Sequence, residues 1–118
     1  MKNFSLIVLL TLALACERAP GPVSGVCYTL TERQCAMDPF NSYVKDTKTL
    51  DERANGVAAF LRDQGIPLSE VKSNPKFTGA VCLACTCPSE YSYRLIIPAG
   101  DTVKLKTLGL AVTERDCD

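Results

Sequence analysis

Residues 49–65, TLDERANGVAAFLRDQG, contain the clearest secondary-structure signal in the chain. The first four residues form a capping box, in which the Thr49 hydroxyl can accept from the Glu52 amide and Glu52 can reach back to the Thr49 amide. Apolar residues then recur at helical spacing, at Leu50, Ala54, Val57, Ala58 and Leu61. Gly65 stands where a left-handed C-terminal cap is expected, and Ile66 can close the hydrophobic contact beyond it. The stretch predicts an amphipathic helix over residues 50–64.

The strongest strand signal lies further along the chain, at residues 91–97, YSYRLII. Its alternation places Tyr91, Tyr93, Leu95 and Ile97 on one face. Residues 80–87, AVCLACTC, are a second strand candidate, and residues 88–90, PSE, are expected to turn the chain between the two runs. Together the two runs predict an antiparallel hairpin.

Weaker signals predict the remaining elements. These are a strand over 26–30, an irregular loop over 31–44, a short extended piece over 68–72, a short helix over 101–108 and a last strand over 110–113. A strand competes with the helix near residue 105, because residues 103–106 alternate; Asp101 and Gly109 at its ends favour the helix. The order predicts an α+β fold, a small antiparallel sheet with one long and one short helix on one face. A ferredoxin-like arrangement is one way to satisfy it.

The N-terminus has the composition of an export signal. Lys2 precedes an uncharged apolar run over residues 6–15, LIVLLTLALA, which Glu17 and Arg18 end. A membrane-spanning helix needs about 20 apolar residues, so this run is too short to span and fits the h-region of a secretory signal. We therefore expect residues 1–15 to be a signal peptide.

Small residues precede a cysteine in residues 12–16, LALAC. This resembles the lipobox of bacterial lipoproteins, although Ala13 stands where leucine is commoner. The resemblance implies that Cys16 receives a diacylglycerol thioether and becomes the first residue of a mature, membrane-anchored envelope protein, facing the periplasm or the cell surface. Residues 16–25 contain two prolines and two glycines and read as the lipidated cysteine with a flexible tether. The partner implied by this segment is the membrane itself.

Cysteine content predicts how the remaining 93 residues, 26–118, are stabilised as a single domain. Beyond Cys16 the chain has an even number of cysteines, namely Cys27, Cys35, Cys82, Cys85, Cys87 and Cys117. A domain of this size is marginally stable without cross-links, and an exported domain lies in an oxidising compartment. We therefore expect three structural disulfides that staple the fold. Six cysteines allow 15 pairings, which the sequence leaves open.

The cluster CLACTC, residues 82–87, has three interpretations. The favoured one is structural: in an extended strand Cys85 and Cys87 share a face and are at the distance limit for bridging each other, so the cluster would pair with Cys27, Cys35 and Cys117. In the second, Cys82, Cys85 and Cys87 bind soft Cu(I) or Zn(II) with a fourth thiolate. In the third, Cys82 and Cys85 form a redox pair, although no helix follows to lower a thiol pKa.

Composition narrows the function classes. The chain has 13 Lys and Arg against 13 Asp and Glu, and no His. A nucleic-acid binder normally shows a basic face, so nucleic acid is not expected as a partner. Without histidine no Ser or Cys has an imidazole to activate it, and no Gly-rich loop follows a strand to hold phosphate. We therefore expect no catalytic residues and no cofactor.

These observations favour a non-enzymatic, lipid-anchored cell-envelope protein that binds an envelope partner or has a structural role. The alternatives are a periplasmic or surface soft-metal protein, which would use Cys82, Cys85 and Cys87, and a thiol–disulfide redox protein. The residues most typical of a surface that recognises a partner are Tyr91, Tyr93 and Arg94, since Tyr and Arg concentrate binding energy at interfaces. The interpretation that the two tyrosines cover the core is favoured over recognition.

Overall fold

The computed structural model of the protein describes residues 25–68, 70–79 and 82–118. The elements, in chain order, are β1 (Gly25–Arg33), α1 (Asn41–Val44), α2 (Leu50–Asp63), β2 (Glu70–Ser73), β3 (Pro88–Pro98), a 3-10 turn (Ala99–Asp101) that leads into α3 (Thr102–Lys106), and β4 (Val112–Arg115). The predicted signal peptide, residues 1–15, and residues 16–24 of the predicted tether lie outside the described residues.

The four strands form one antiparallel sheet in the order β2-β3-β1-β4. The connection from β1 to β2 passes across β3, and the connection from β3 to β4 passes across β1. Each connection contains a helix, so the chain consists of two interlocked split β-α-β units. The predicted α+β class is confirmed, and the strand order is that of a ferredoxin-like arrangement.

The core lies between one face of the sheet and the helices. Strand alternation turns every second side chain of the two central strands toward that face, and these residues are at most 1% exposed: Tyr28, Leu30, Tyr93, Leu95 and Ile97. From the helices, Val57 and Leu61 of α2 and Leu105 of α3 join the same cluster with no exposed surface. Both long crossovers therefore cover the same face of the sheet.

The N-terminus of α2 has the predicted capping box, with a different partner for one of its two hydrogen bonds. The Thr49 hydroxyl accepts from the Glu52 N–H at 3.1 Å, as expected. The Glu52 carboxylate accepts from the backbone N–H of Lys48, at 2.7 Å, instead of from that of Thr49. The cap satisfies backbone donors that the first turn of a helix leaves unpaired.

The C-terminus of α2 ends as predicted. Gly65 has a φ of 77°, in the left-handed region where glycine carries no steric cost. Its N–H donates to the Arg62 carbonyl at 2.8 Å, and the Ile66 N–H donates to the Leu61 carbonyl at 3.0 Å. This pair of bonds is a Schellman motif, and the buried Ile66 supplies the accompanying hydrophobic contact.

The predicted strand over residues 80–87 is wrong for residues 82–87, which form a turn. The Cys87 N–H donates to the Ala84 carbonyl at 2.9 Å, and the Cys82–Cys87 disulfide closes the loop. The hairpin partner of β3 is instead β2, with Lys72 opposite Arg94. The strand was predicted because residues 80–87 are almost all apolar or cysteine, and such a run does not distinguish a buried strand from a turn closed by disulfides.

Other boundaries differ from the predictions. The predicted loop over 31–44 contains the end of β1 and the whole of α1, and residues 88–90 open β3 instead of turning the chain. Pro88 is compatible with this because it is the first residue of its strand. The short helix is confirmed as α3; Asp101 makes no capping bond there, and Gly109 follows with a φ of 72°.

Gly56 lies inside α2, where glycine costs about 0.8–1 kcal/mol relative to alanine. A Cβ at this position would overlap the backbone carbonyl oxygen of Tyr43, in α1. Backbone atoms cannot rotate out of the way as a side chain can. Glycine is therefore required for α1 to pack against α2.

We expect Gly56→Ala to lower the free energy of unfolding by about 1–3 kcal/mol, because the overlap outweighs the gain in helix propensity. Gly100→Ala is the matched control, since a Cβ there meets no atom within 4 Å. It should leave stability unchanged or slightly higher. Urea unfolding of both variants measures the difference, and a stabilised Gly56→Ala protein would contradict this packing.

Candidate functional site

Two of the three disulfides lie together at one end of the sheet, where β1 ends and β3 begins. Cys35 is bonded to Cys85, with Cα atoms 5.1 Å apart, and Cys82 to Cys87, at 5.8 Å. The Gln34 N–H donates to the Cys87 carbonyl at 2.9 Å and so joins β1 to the closed loop. We call this end of the domain the disulfide pole; it comprises residues 34–37, 77–79 and 82–89.

The third disulfide, between Cys27 and Cys117, lies toward the opposite end of β1, and its Cα atoms are 5.2 Å apart. Arg115 of β4 pairs with Cys27, which brings the C-terminal residues alongside the start of β1. The two cysteines are 90 residues apart. In the chain-entropy account, a cross-link that closes so long a loop restricts the unfolded chain strongly.

The prediction that the whole cluster pairs with cysteines outside it is only partly confirmed. Cys85 reaches outside to Cys35, as expected. For Cys82 and Cys87 the prediction is wrong, because the two are bonded to each other. In a strand, cysteines this far apart could not meet, but the turn between them folds the chain back.

The disulfides bear on the metal and redox alternatives. A soft metal ion is bound by thiolates, and every sulfur of the cluster is in a disulfide. The proposed redox pair, Cys82 and Cys85, is not bonded together; each has a different partner. Metal binding or dithiol exchange at this cluster would first require reduction of two disulfides.

The disulfide pole carries a group of exposed apolar side chains. Leu83, within the closed loop, is 91% exposed, Phe77 is 65% exposed and Met37 is 50% exposed. A shallow groove of about 310 Å³ lies beside Phe77, and Cys82 and Pro88 are among its other lining residues. Sequence analysis missed this surface, because a leucine inside an apparent strand indicates burial.

A buried polar network lies beside the core near the same end of the sheet. Glu32 is 8% exposed and faces the helices from β1. Its carboxylate accepts from the Tyr93 hydroxyl at 2.7 Å and from two nitrogens of the Arg53 guanidinium, Nε at 3.2 Å and Nη2. Burial and the hydrogen bond to Glu32 raise the pKa of Tyr93 well above its usual range. The network ties α2 to both central strands.

The three recognition candidates do not form one surface. Tyr93 is buried in the core. Tyr91, on the same face, is half-buried, and two cations lie over its ring: the Arg53 guanidinium carbon is 3.9 Å and Lys76 Nζ 5.2 Å from the ring centre. Arg94 lies on the other face, where it donates to the Cys117 carbonyl and holds the C-terminal residues. The favoured interpretation of the tyrosines as core and packing residues agrees with these positions.

A small cleft of about 90 Å³ opens beside Tyr91, at the N-terminus of α2. Its lining includes three cations: Lys48, Arg53 and Lys76. Arg53 is paired with Glu32, and Lys76 lies 3.7 Å from Glu90. Because acidic side chains already compensate two of these charges, the cleft offers little net attraction to an anion.

The described part of the chain contains neither a helix that could cross a membrane nor a group that fits a metal ion. None of the helices within 25–68, 70–79 and 82–118 is both long and apolar enough to span a bilayer. In the same ranges no three His, Cys, Asp or Glu side chains are arranged around a common point. The principal candidate site in the described residues is the set of exposed apolar side chains at the disulfide pole.

The disulfide pairing predicts a specific peptide map. Trypsin cleavage of the unreduced, alkylated protein should yield two linked species: residues 19–33 with 116–118, and residues 34–45 with 77–94. The second species should also contain the closed Cys82–Cys87 loop. Mass spectrometry before reduction gives the mass of each linked species, and mass spectrometry after reduction identifies the peptides that each species releases.

Other results of this map have defined meanings. A single species that joins all four peptides would mean that each cluster cysteine pairs outside the cluster. Alkylated cysteines within residues 77–94 would mean free thiols and would support the metal or redox alternative. The reduced and alkylated protein serves as the control, since it must release all four peptides.

Tyr93→Phe should lower stability at neutral pH by about 1–3 kcal/mol, because the buried Glu32 carboxylate loses a donor.

Folded Tyr93 keeps its proton above pH 10, where an unfolded tyrosine loses it. The unfolded state then binds fewer protons, so the stability of the unsubstituted protein should fall with rising pH, by up to about 1.4 kcal/mol per pH unit from this group. Tyr93→Phe should show a shallower fall between pH 10 and 12 in denaturant unfolding.

Tyr43 provides the control for this pH dependence. A hydrogen bond to the Asp63 carboxylate at 2.6 Å raises the pKa of this exposed tyrosine. Because solvent screens that contact, Tyr43→Phe should leave the slope above pH 10 closer to that of the unsubstituted protein. Equal slopes for the unsubstituted protein and Tyr93→Phe would contradict the role assigned to the buried network.

Comparison with protein-family models, with characterised proteins and with solved structures finds no match to this chain. Three features of the domain bear on its function: the complete pairing of the six cysteines after Cys16, the exposed apolar side chains of the disulfide pole, and the position of that pole at the end of β1 opposite to Gly25.

Proposed function

We propose that this protein is a lipid-anchored protein of the bacterial cell envelope and that its domain, residues 26–118, is a non-enzymatic binding module. One observation carries the proposal: the six cysteines after Cys16 pair among themselves. The cross-linked domain therefore needs nothing from Cys16, which is left available for the lipid that its lipobox-like context implies.

The cross-links also support the proposed location. Disulfides persist in oxidising compartments and are rare in the cytosol, where thiols are kept reduced. Two separate features are consistent with export: the signal-like segment over residues 1–15 and the three disulfides of the domain. The short Pro- and Gly-containing tether would then connect the membrane to Gly25.

Binding is favoured over catalysis by the kind of surface that the domain presents. Catalytic sites depend on positioned acid, base or nucleophilic groups, and the chain has no histidine to activate a hydroxyl or thiol. The carboxylate of the buried Glu32 already accepts three hydrogen bonds, two from Arg53 and one from Tyr93. What the domain leaves exposed is an apolar surface held in place by two disulfides, which suits recognition of a partner.

Cys16→Ser tests the anchor. In membrane and soluble fractions of the producing bacteria, the unsubstituted chain should be found with the membrane, and its N-terminal peptide should begin at Cys16 with added acyl mass. Cys16→Ser should lose the acyl mass and leave the membrane fraction. Glu17→Gln, next to the lipid site, is the control and should keep both properties. An unsubstituted chain without acyl mass would overturn the proposal.

A further inference from the structure

We infer that the Cys35–Cys85 disulfide is a thiol-exchange site, at which a dithiol of another molecule opens the disulfide pole without unfolding the domain. In this reaction the domain is the oxidant and the dithiol is its reductant. The inference goes beyond the proposed function, because it depends neither on the lipid nor on a binding partner. Three features carry it: a left-handed backbone at the bond, the exposure of both its cysteines, and its position outside the core.

The backbone is strained at one end of this bond. Cys35 has a φ of 60° and Ala36 a φ of 53°, so two consecutive residues with side chains lie in the left-handed region. Within 25–68, 70–79 and 82–118 they are the only residues other than glycine with a positive φ. Turns that need two such residues favour Asn and Gly, because a Cβ crowds the following carbonyl oxygen. Strained conformations persist only where their surroundings impose them, and they are typical of switch segments.

The constraints that impose this conformation are polar and covalent. Cys35 and Ala36 are both exposed, so packing does little to hold them. The segment is closed at its base by the buried Asp38, which accepts from the Arg33 N–H at 2.6 Å. The bond to Cys85 acts on the strained residue itself. Opening that bond removes a constraint from Cys35, so relief of backbone strain favours the reduced form.

Both cysteines of this bond are exposed, whereas each of the other two disulfides contains a buried cysteine: Cys27 is 1% exposed and Cys87 is 8% exposed. Exchange begins when a thiolate attacks one sulfur and the other sulfur leaves as a thiolate. At either of the other bonds, attack on the exposed cysteine would release a buried thiolate, which burial disfavours. At Cys35–Cys85 the leaving thiolate is exposed whichever sulfur is attacked. Exposed or strained disulfides are the labile ones in proteins.

The reaction is a balanced two-electron exchange. One thiolate of the dithiol attacks Sγ of Cys35 or Cys85, the S–S bond breaks, and the released thiolate takes up a proton. The second thiol of the same dithiol, as its thiolate, then attacks the mixed disulfide and releases the remaining cysteine, which is protonated in turn. The domain gains two electrons and two protons, and the dithiol becomes a disulfide.

Opening this bond leaves the core intact. Residues 35–37 and 82–86 are exposed, and none of them belongs to the core cluster. The Cys27–Cys117 disulfide still holds the C-terminal residues at the other end of β1. Residues 34–37 are then no longer tied to the 82–87 loop. The thiol–disulfide balance of the surroundings therefore sets the conformation of the disulfide pole.

Partial reduction of the full chain tests which bond opens first. Protein purified without reductant from the bacteria that produce it is equilibrated with mixtures of reduced and oxidised dithiothreitol, trapped with N-ethylmaleimide and digested with trypsin. The first reduced species should release residues 34–45 and 77–94 with one label each, while 19–33 stays joined to 116–118.

Two results of this digest would overturn the inference. One is earlier separation of 19–33 from 116–118, which would mean that Cys27–Cys117 opens first. The other is a species in which 34–45 is still joined to 77–94 and carries two labels, which would mean that Cys82–Cys87 opens first.

Ala36→Gly tests the role of backbone strain. Glycine takes the left-handed conformation without steric cost and so stabilises the closed form, although its greater freedom in the open turn offsets part of that gain. The ratio of reduced to oxidised dithiothreitol that opens half of the protein should rise about threefold or more. Ala84→Gly is the matched control in the 82–87 loop, since Ala84 has no positive φ. It should leave the ratio unchanged or lower, and an unchanged ratio for Ala36→Gly would overturn the inference.

A double variant, Cys35→Ser with Cys85→Ser, tests whether opening is local. Its circular dichroism should match that of the unsubstituted chain, and urea should unfold it cooperatively. The backbone chemical shifts of Ala36 should move towards random-coil values, while those of β1 and β3 stay unchanged. A variant that does not fold would show that opening is global and would reject the inference. Failure of the anchor would appear only in the Cys16→Ser fractionation, so the two proposals fail independently.

Discussion

The long antiparallel pairing of β1 with β3 is the constraint on which the rest of the molecule depends. It runs from Gly25 opposite Pro98 to Arg33 opposite Pro88, through the centre of the sheet. The helices cover the inner face of these two strands, and the edge strands pair with their outer sides. All three disulfides lie toward the ends of this pair. The register therefore decides which residues meet at each end of the domain.

A small domain with this sheet depends on cross-links and on a buried polar network beside its apolar core. Ion pairs taken out of water repay their desolvation only when their geometry is good and their remaining polar atoms are satisfied. Glu32 meets that condition through Arg53 and Tyr93, which lie on different elements. The network fixes how α2 sits on the sheet, whereas the disulfides restrict the unfolded chain.

The two ends of β1 have different chemical characters. At one end the chain enters from the N-terminal segment, and Cys27 holds the C-terminal residues. At the other end two disulfides support exposed apolar residues that contribute nothing to the core. The entry of the N-terminal segment and the exposed apolar residues are therefore separated by the length of β1.

The sequence by itself determined the elements whose signals are local. Helix α2, its Thr49 cap and its Gly65 stop follow from neighbouring residues, and so does the alternation that buries Tyr93, Leu95 and Ile97. Only the tertiary structure decided the pairing of Cys82 with Cys87 and the exposure of Leu83. These depend on which distant strands meet, and the run of apolar residues and cysteines over 82–87 does not by itself distinguish a buried strand from a cross-linked turn. Long-range register is set by the packing of the whole sheet.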